Sequence, residues 1–197
     1  MRYDAEHKLR TRDKVVKAAA KAIRAKGPDG IGIADVMADV GLTHGGFYAH
    51  FASKDDLVAA AVGQMFEEAR ARLAAETQQR APADGLRAYV DFYLSPAHRD
   101  ARRAGCPVAA LSSDLPRMAA KLRRHFAAGS EALIEALAAL LAQLGREQPV
   151  AEARSVFAEL LGALSIARIE SDAARSDEIL ASSRTAIKHR LGLDRPA

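Results

Sequence analysis

Fourteen consecutive residues, GLTHGGFYAHFASK at positions 41–54, hold the side chains best suited to meeting a polyanion. No acid occurs from Val40 to Lys54, although Asp39 and Asp55 bracket the stretch. His44, Tyr48, His50 and Lys54 can each donate to a phosphate oxygen, a type of contact that positions a protein on nucleic acid and weakens with salt. Gly45 and Gly46 have no side chain where ordinary residues would form helix better. They would let the backbone come close to a phosphate and aim N–H groups at it. Phe47 and Phe51, four apart, share an inward face with Leu42. The stretch has no Arg, Asn or Gln to pair bidentately with a base. Base reading would therefore lean on Thr43, His44, the bare backbone and the shape of the duplex.

Other chemistries find little support. The six His, at 7, 44, 50, 98, 125 and 189, show no i,i+4 metal-ligand pairing. No phosphate-loop glycine pattern and no G-x-S-x-G nucleophile elbow occurs. Gly30 and Gly32 are a bare fragment of a dinucleotide motif, and Ser112, Ser113 and Asp114 read as helix-end caps. No enzyme, metal site or cofactor is expected. The single Cys106 excludes a disulfide framework. It precedes Pro107, which suits the first position of a helix, and follows Arg102 and Arg103. A thiol at such an N-cap would sit in positive potential, so oxidation or alkylation of Cys106 is an alternative way to switch the protein. The plainer role for Cys106 is packing.

The elements that must position these groups are helical. Ala is the commonest residue, aromatics are 5% and Trp is absent, so helix formers dominate and β-formers are scarce. Periodicity predicts helices over 11–26, 33–40, 43–51 and 53–79, with Val16, Ala19, Ala20 and Ile23 inward on the first and basic residues opposite. Gly41 fits the left-handed position after the second helix, Thr43 can cap the third, and Ser53 with Asp56 is a capping-box pattern for the fourth. Further helices are expected over 83–94, from Pro107, over 115–144, 149–170 and 176–191. The fold class is all-α with about nine helices. A head over 1–54 would carry a helix-turn-helix, and 55–197 would form a larger body.

Charge divides the same way. Residues 1–26 hold nine Lys/Arg against three acids, whereas the other 171 residues hold 20 against 22, within a total of +4. Arg2, Lys8, Arg10 and Arg12 could form a basic arm. No run of 18 apolar residues occurs, and Asp4 and Glu6 stand where a signal peptide would be apolar. The expectation is a cytoplasmic protein with no membrane partner.

The segments TRDKVVKAAAKAIRAKG at 11–27 and DVMADVGLTHGGFYAHFASKDDL at 35–57 resemble the tetracycline-repressor (TetR) family of bacterial transcription regulators. The resemblance covers roughly the first 60 residues. It implies a helix-turn-helix head on a divergent helical body that binds a small effector and forms a homodimer. By motif position, Thr43, His44, Gly45 and Gly46 would begin the recognition helix, while Tyr48, His50 and Lys54 would contact phosphates. Phe47 and Phe51 would be core. Gly32 stands where the family often has a capping Ser or Thr, and glycine caps nearly as well.

The expected function is a transcriptional regulator, most simply a repressor released from a palindromic double-stranded DNA operator by an effector. An all-helical enzyme or a protein-interaction bundle are the competing classes, and neither explains the acid-free stretch. The last two long helices are the expected homodimer interface, where Ala158, Gly162, Ala163 and Ser165 would let helices approach closely. An effector pocket would draw on the scarce large side chains of the body, namely Phe66, Tyr89, Phe92, Tyr93, Met118, His125, Phe126 and Phe157. Few carboxylates fall among apolar body positions, which favours a small, mainly apolar effector, uncharged or weakly anionic.

Overall fold

The computed structural model describes residues 2–194, with side chains from Glu6 onward. The described residues form nine α-helices and two short 3₁₀ helices, with no strand.

Helix α1, Arg2–Lys26, begins nine residues before the predicted start. Residues 2–10 hold no glycine or proline, and i,i+4 pairs support the extension, Arg10 with Glu6 at 2.9 Å and Lys17 with Asp13 at 2.8 Å. Val15, Val16, Ala19, Ala20 and Ile23 are buried as the periodicity requires. Helix α2, Ile33–Asp39, ends in a Schellman turn: Leu42 N–H donates to the Met37 carbonyl at 2.9 Å and Gly41 N–H to Ala38 at 3.0 Å, with Gly41 at φ +74°.

The next element differs from expectation. It is a 3₁₀ helix, His44–Ala49, rather than an α-helix to Phe51, and the Thr43 side chain makes no capping bond. Two adjacent glycines supply little helix propensity, so a short, tight turn anchored by buried Phe47 and Phe51 suffices.

Helix α3, Lys54–Thr77, starts as predicted, with Ser53 Oγ accepting from Asp56 N–H at 3.1 Å. The Asp56 carboxylate accepts from Ala52 N–H at 3.3 Å. Helices α4 (Pro82–Tyr93), α5 (Pro96–Asp100) and α6 (Pro107–Leu111) follow. The predicted single helix over 115–144 is two elements. A 3₁₀ turn, Leu115–Arg117, ends at Met118 in extended backbone, and α7 then runs over Ala120–Gln143. Helices α8 (Pro149–Ile169) and α9 (Ala173–Leu191) complete the chain, α9 capped by Asp172 and ended by Gly192 at φ +70°.

Helix α3 is the shared element. It packs on α1 along the head and on α4 and α7 in the body, and α7, α8 and α9 pack in succession beyond it. Gly129 of α7 lets the helices approach, since a Cβ there would lie 2.4 Å from the Phe66 ring. Among the described helices α7 alone is long and apolar enough to cross a membrane; here its Phe126, Leu133, Leu137 and Leu141 are buried in the core. On α8, Ala163 is buried inside the subunit and so does not belong to an outer surface. Ala158 is exposed, Gly162 and Ser165 are half-buried, and Ile166 and Ile169 beside them are 56% and 83% exposed.

Candidate nucleic-acid interface and body cavity

The 3₁₀ segment rests on two aromatic anchors. Phe47 and Phe51 stack at 5.5 Å between centroids, and the Arg12 guanidinium of α1 lies 4.8 Å above the Phe51 ring. With that face fixed, Thr43, His44, Gly45 and Tyr48 are exposed, and Tyr48 leans edge-on against Phe47. A Cβ at Gly45 would meet nothing within 4 Å, and one at Gly46 would make only ordinary contacts with Met37 and Thr43. Neither glycine has a positive φ. The fold itself therefore does not require either glycine, and at Gly45 the backbone is left bare toward the outside.

His50 and Lys54 are less open than the sequence implied. His50 is half-buried and its Nδ1 is enclosed with no partner. Burial, then Lys8, Arg12 and His7, hold its pKa below the ordinary histidine value. Those neighbours show that the start of α1 lies beside the segment as a helix rather than a loose arm; the Arg2 side chain lies outside the described residues. Lys54 is half-buried, with Nζ 3.5 Å from the Asp29 carbonyl. Arg24 is no part of a basic outer face of α1. It is 5% exposed, and Nη2 donates to Glu68 of α3 at 2.7 Å.

In the body, α3, α4, α5 and the segment 101–106 line a partly open cavity of about 370 Å³, with Glu68, Arg72, Tyr89, Phe92, Tyr93 and His98 on its wall. Of the expected pocket residues, Tyr89, Phe92 and Tyr93 are brought together there. Phe66, Phe126 and Phe157 are core, with Phe66 and Phe126 edge-on at 5.3 Å. Met118 lines a separate pocket of about 320 Å³ beside Lys54 and Arg117. His125 is exposed on α7, its Nδ1 2.9 Å from the Lys121 carbonyl.

Cys106 is buried and lines the first cavity. The sequence did not mark its neighbour His98, which α5 carries into place. His98 Nδ1 lies 2.7 Å from the Tyr93 carbonyl and so carries the proton, leaving Nε2 to accept Cys106 N–H at 3.3 Å. Burial first, then Arg168 and Arg72, lower the pKa of His98 against the opposing Tyr93 carbonyl. Gly105 makes this approach possible, because a Cβ there would lie 3.2 Å from His98 Nε2 and 2.9 Å from Arg168 Nη2. The Tyr93 hydroxyl is buried without a partner, and burial pushes its pKa well above the ordinary tyrosine value. The signal for the site was the scarcity of aromatics; Glu68 and His98 join it through packing alone. Among the described residues no His/Cys/Asp/Glu cluster suits a metal ion.

Residues 15–61 match the family described as bacterial regulatory proteins, tetR family. No match was found among curated proteins. A TetR transcriptional regulator from Chloroflexus aurantiacus superposes with a TM-score of 0.80 at 28% identity, over 95% of this chain and 96% of that one. A TetR-family regulator from Agrobacterium tumefaciens gives 0.76 at 28% identity, over 91% and 98%. The reduced form of NemR from Escherichia coli shares the fold, with a TM-score of 0.78 at 23% identity over 91% and 95%. Residues 15–61 thus carry the helix-turn-helix sequence of the tetR family, and the chain as a whole has the fold of TetR-family transcriptional regulators, which supports a DNA-binding regulator of that type.

Proposed function

We propose that the protein is a homodimeric repressor, released from a palindromic operator when a small, mainly apolar effector occupies the body cavity. The head over 1–54 would hold the DNA contacts and the body over 55–197 the effector and the partner subunit. Thr43, His44, Gly45 and Gly46 would face the major groove, and Tyr48, His50 and Lys54 the flanking phosphates. The observation that carries this reading is the pair of glycines. Nothing inside the protein needs them, whereas a backbone approaching a phosphate does. A two-fold dimer would set its heads about 34–36 Å apart, one turn of duplex. Release follows if the effector prefers another spacing of the heads, and an almost complete switch needs about 5.5 kcal/mol of differential affinity.

Footprinting on the DNA upstream of the protein's own gene tests the reading. The expected result is a palindromic protected site whose log affinity falls by about 0.9 per log salt for each phosphate contacted. A salt-insensitive complex, or no protection at all, would remove the assignment.

Cys106 supports a second reading, because it lines the cavity in which the effector would sit. Covalent change at this thiol would then replace or add to ligand binding. Titrating the folded protein with a thiol reagent, beside Cys106→Ser, decides it: an unreactive thiol leaves Cys106 a packing residue.

A further inference from the structure

Glu68 belongs to two sites at once. It helps to line the body cavity, with Ala69 and Arg72 next to it on α3, and it is the one carboxylate among the lining residues. One carboxylate oxygen accepts from Gln64 Nε2 at 3.0 Å and the other from Arg24 Nη2 at 2.7 Å. Arg24 stands in the last turn of α1, the first helix of the head. Its side chain is 1% exposed, its one other acceptor is the Met65 carbonyl at 3.4 Å, and its Nε and Nη1 are buried with no acceptor. The buried charge thus depends on one counter-charge, and that carboxylate also faces whatever enters the cavity.

The basic side chains on the cavity wall, the Arg72 cation and the neutral His98 imidazole, are already satisfied. Arg72 lies over the Phe92 ring at 4.6 Å and pairs with Glu76 at 3.4 Å, and His98 has both ring nitrogens engaged. An ionised carboxylate offers about four lone-pair sites, so Glu68 has acceptor capacity left. Tyr89, Phe92 and Tyr93 complete an aromatic wall suited to an apolar frame that carries the charge.

We propose that the Glu68–Arg24 pair latches the cavity to the DNA-binding head, and that the effector which opens it is, in place of the uncharged or weakly anionic molecule expected from the sequence, a small aromatic or aliphatic amine, protonated at neutral pH. An ammonium at Glu68 shares the carboxylate and repels the guanidinium behind it. A buried charge stripped of its partner is strongly unfavourable, and moving the last turn of α1 relieves it. The heads move with α1, and by linkage DNA binding weakens the amine to the same degree. The effect on DNA rests on the regulator reading above; the latch itself does not.

The test uses the full chain and three naphthalenes of one shape: 2-(aminomethyl)naphthalene, 2-naphthalenemethanol and 2-naphthoate. Calorimetry on the wild type is expected to show the amine bound about tenfold or more tighter than the alcohol, the ratio of one charge-assisted hydrogen bond. Glu68→Gln should erase that ratio; if this variant does not fold, the wild-type series decides alone. Amide exchange over residues 20–27 should quicken with the amine and not with the alcohol. DNA affinity should fall about 5- to 150-fold with the amine. Equal binding of amine and alcohol, binding of none, or an amine that leaves exchange at 20–27 unchanged overturns the latch. Faster exchange with unchanged DNA affinity supports the latch and sinks the regulator reading instead.

Discussion

Single residues in the head and the cavity separate what the fold requires from what a partner requires. A Cβ at Gly45 would meet no atom within 4 Å, and the backbone there is not left-handed. Gly45→Ala should therefore leave stability unchanged or raise it by up to about 1 kcal/mol. DNA affinity should nevertheless drop, because the methyl group stands where a phosphate would approach. Paired thermal melts and gel shifts check this; unchanged affinity would take the glycine out of the interface. His98 makes the complementary case inside the body, where the chemistry serves the fold. Its folded pKa is depressed, so between the ordinary histidine value and that lower value the unfolded chain binds more protons. Stability should hold above about pH 6.5, the unfolded value, and fall as the pH drops below it. His50 is depressed too and titrates in the same window, so the comparison is with His98→Gln. That variant should show a flatter melting curve against pH, and an identical slope would mean that His98 is not the group responsible.

At the scale of elements, the crossing of α3 and α7 turns on which glycine is replaced. Gly129→Ala would drive a Cβ into the Phe66 ring, and overpacking of this kind costs about 1–3 kcal/mol. Gly63→Ala on α3 meets nothing within 4 Å and should be neutral or stabilising by up to about 1 kcal/mol. Denaturant midpoints for the two variants check the contrast, which vanishes if the helices do not cross at Phe66. How far such elements are legible beforehand depends on where their signals lie. Ser53 with Asp56, Gly41 and Pro149 mark ends by local chemistry that acts within one turn, so α2, α3 and α8 were readable to within a residue or two. Helix α5 spans five residues, too few for a period to show, and only its Ser95 cap and Pro96 betray it. Pro116 is tolerated in a first turn, so it does not itself announce the break that Met118 makes before α7. The cavity was half legible for a related reason. Tyr89, Phe92 and Tyr93 stood out as scarce aromatics, but so did Phe66, Phe126 and Phe157, which went to the core instead. Glu68 and His98 reached the cavity only because α3, α4 and α5 pack around it, a property of no local window.

On the scale of the whole molecule, the near-neutral total charge conceals a basic first helix on a slightly acidic remainder, an arrangement that steers one end toward DNA. Two such ends gain over one only if a second subunit holds them in register. The surface best suited to that task lies on α8, where Ala158, Gly162, Ser165, Ile166 and Ile169 follow one another at helical spacing. Ile166 and Ile169 are the large apolar side chains exposed there, and each contributes about 1.5–3 kcal/mol when buried. If α8 forms the subunit contact, replacing both with glutamate removes that burial from each subunit and sets like charges against one another there. The double variant should run as a monomer by light scattering, with helix content unchanged because both side chains are exposed on the subunit. On a palindromic site the monomer loses the effective concentration of its second head, so affinity should fall about 10²- to 10⁴-fold. On an isolated half-site it should bind as the wild-type head does, which distinguishes lost pairing from a damaged interface. A variant that stays dimeric would move the subunit contact away from α8, and the spacing of the two heads would then have to be set by another face of the body.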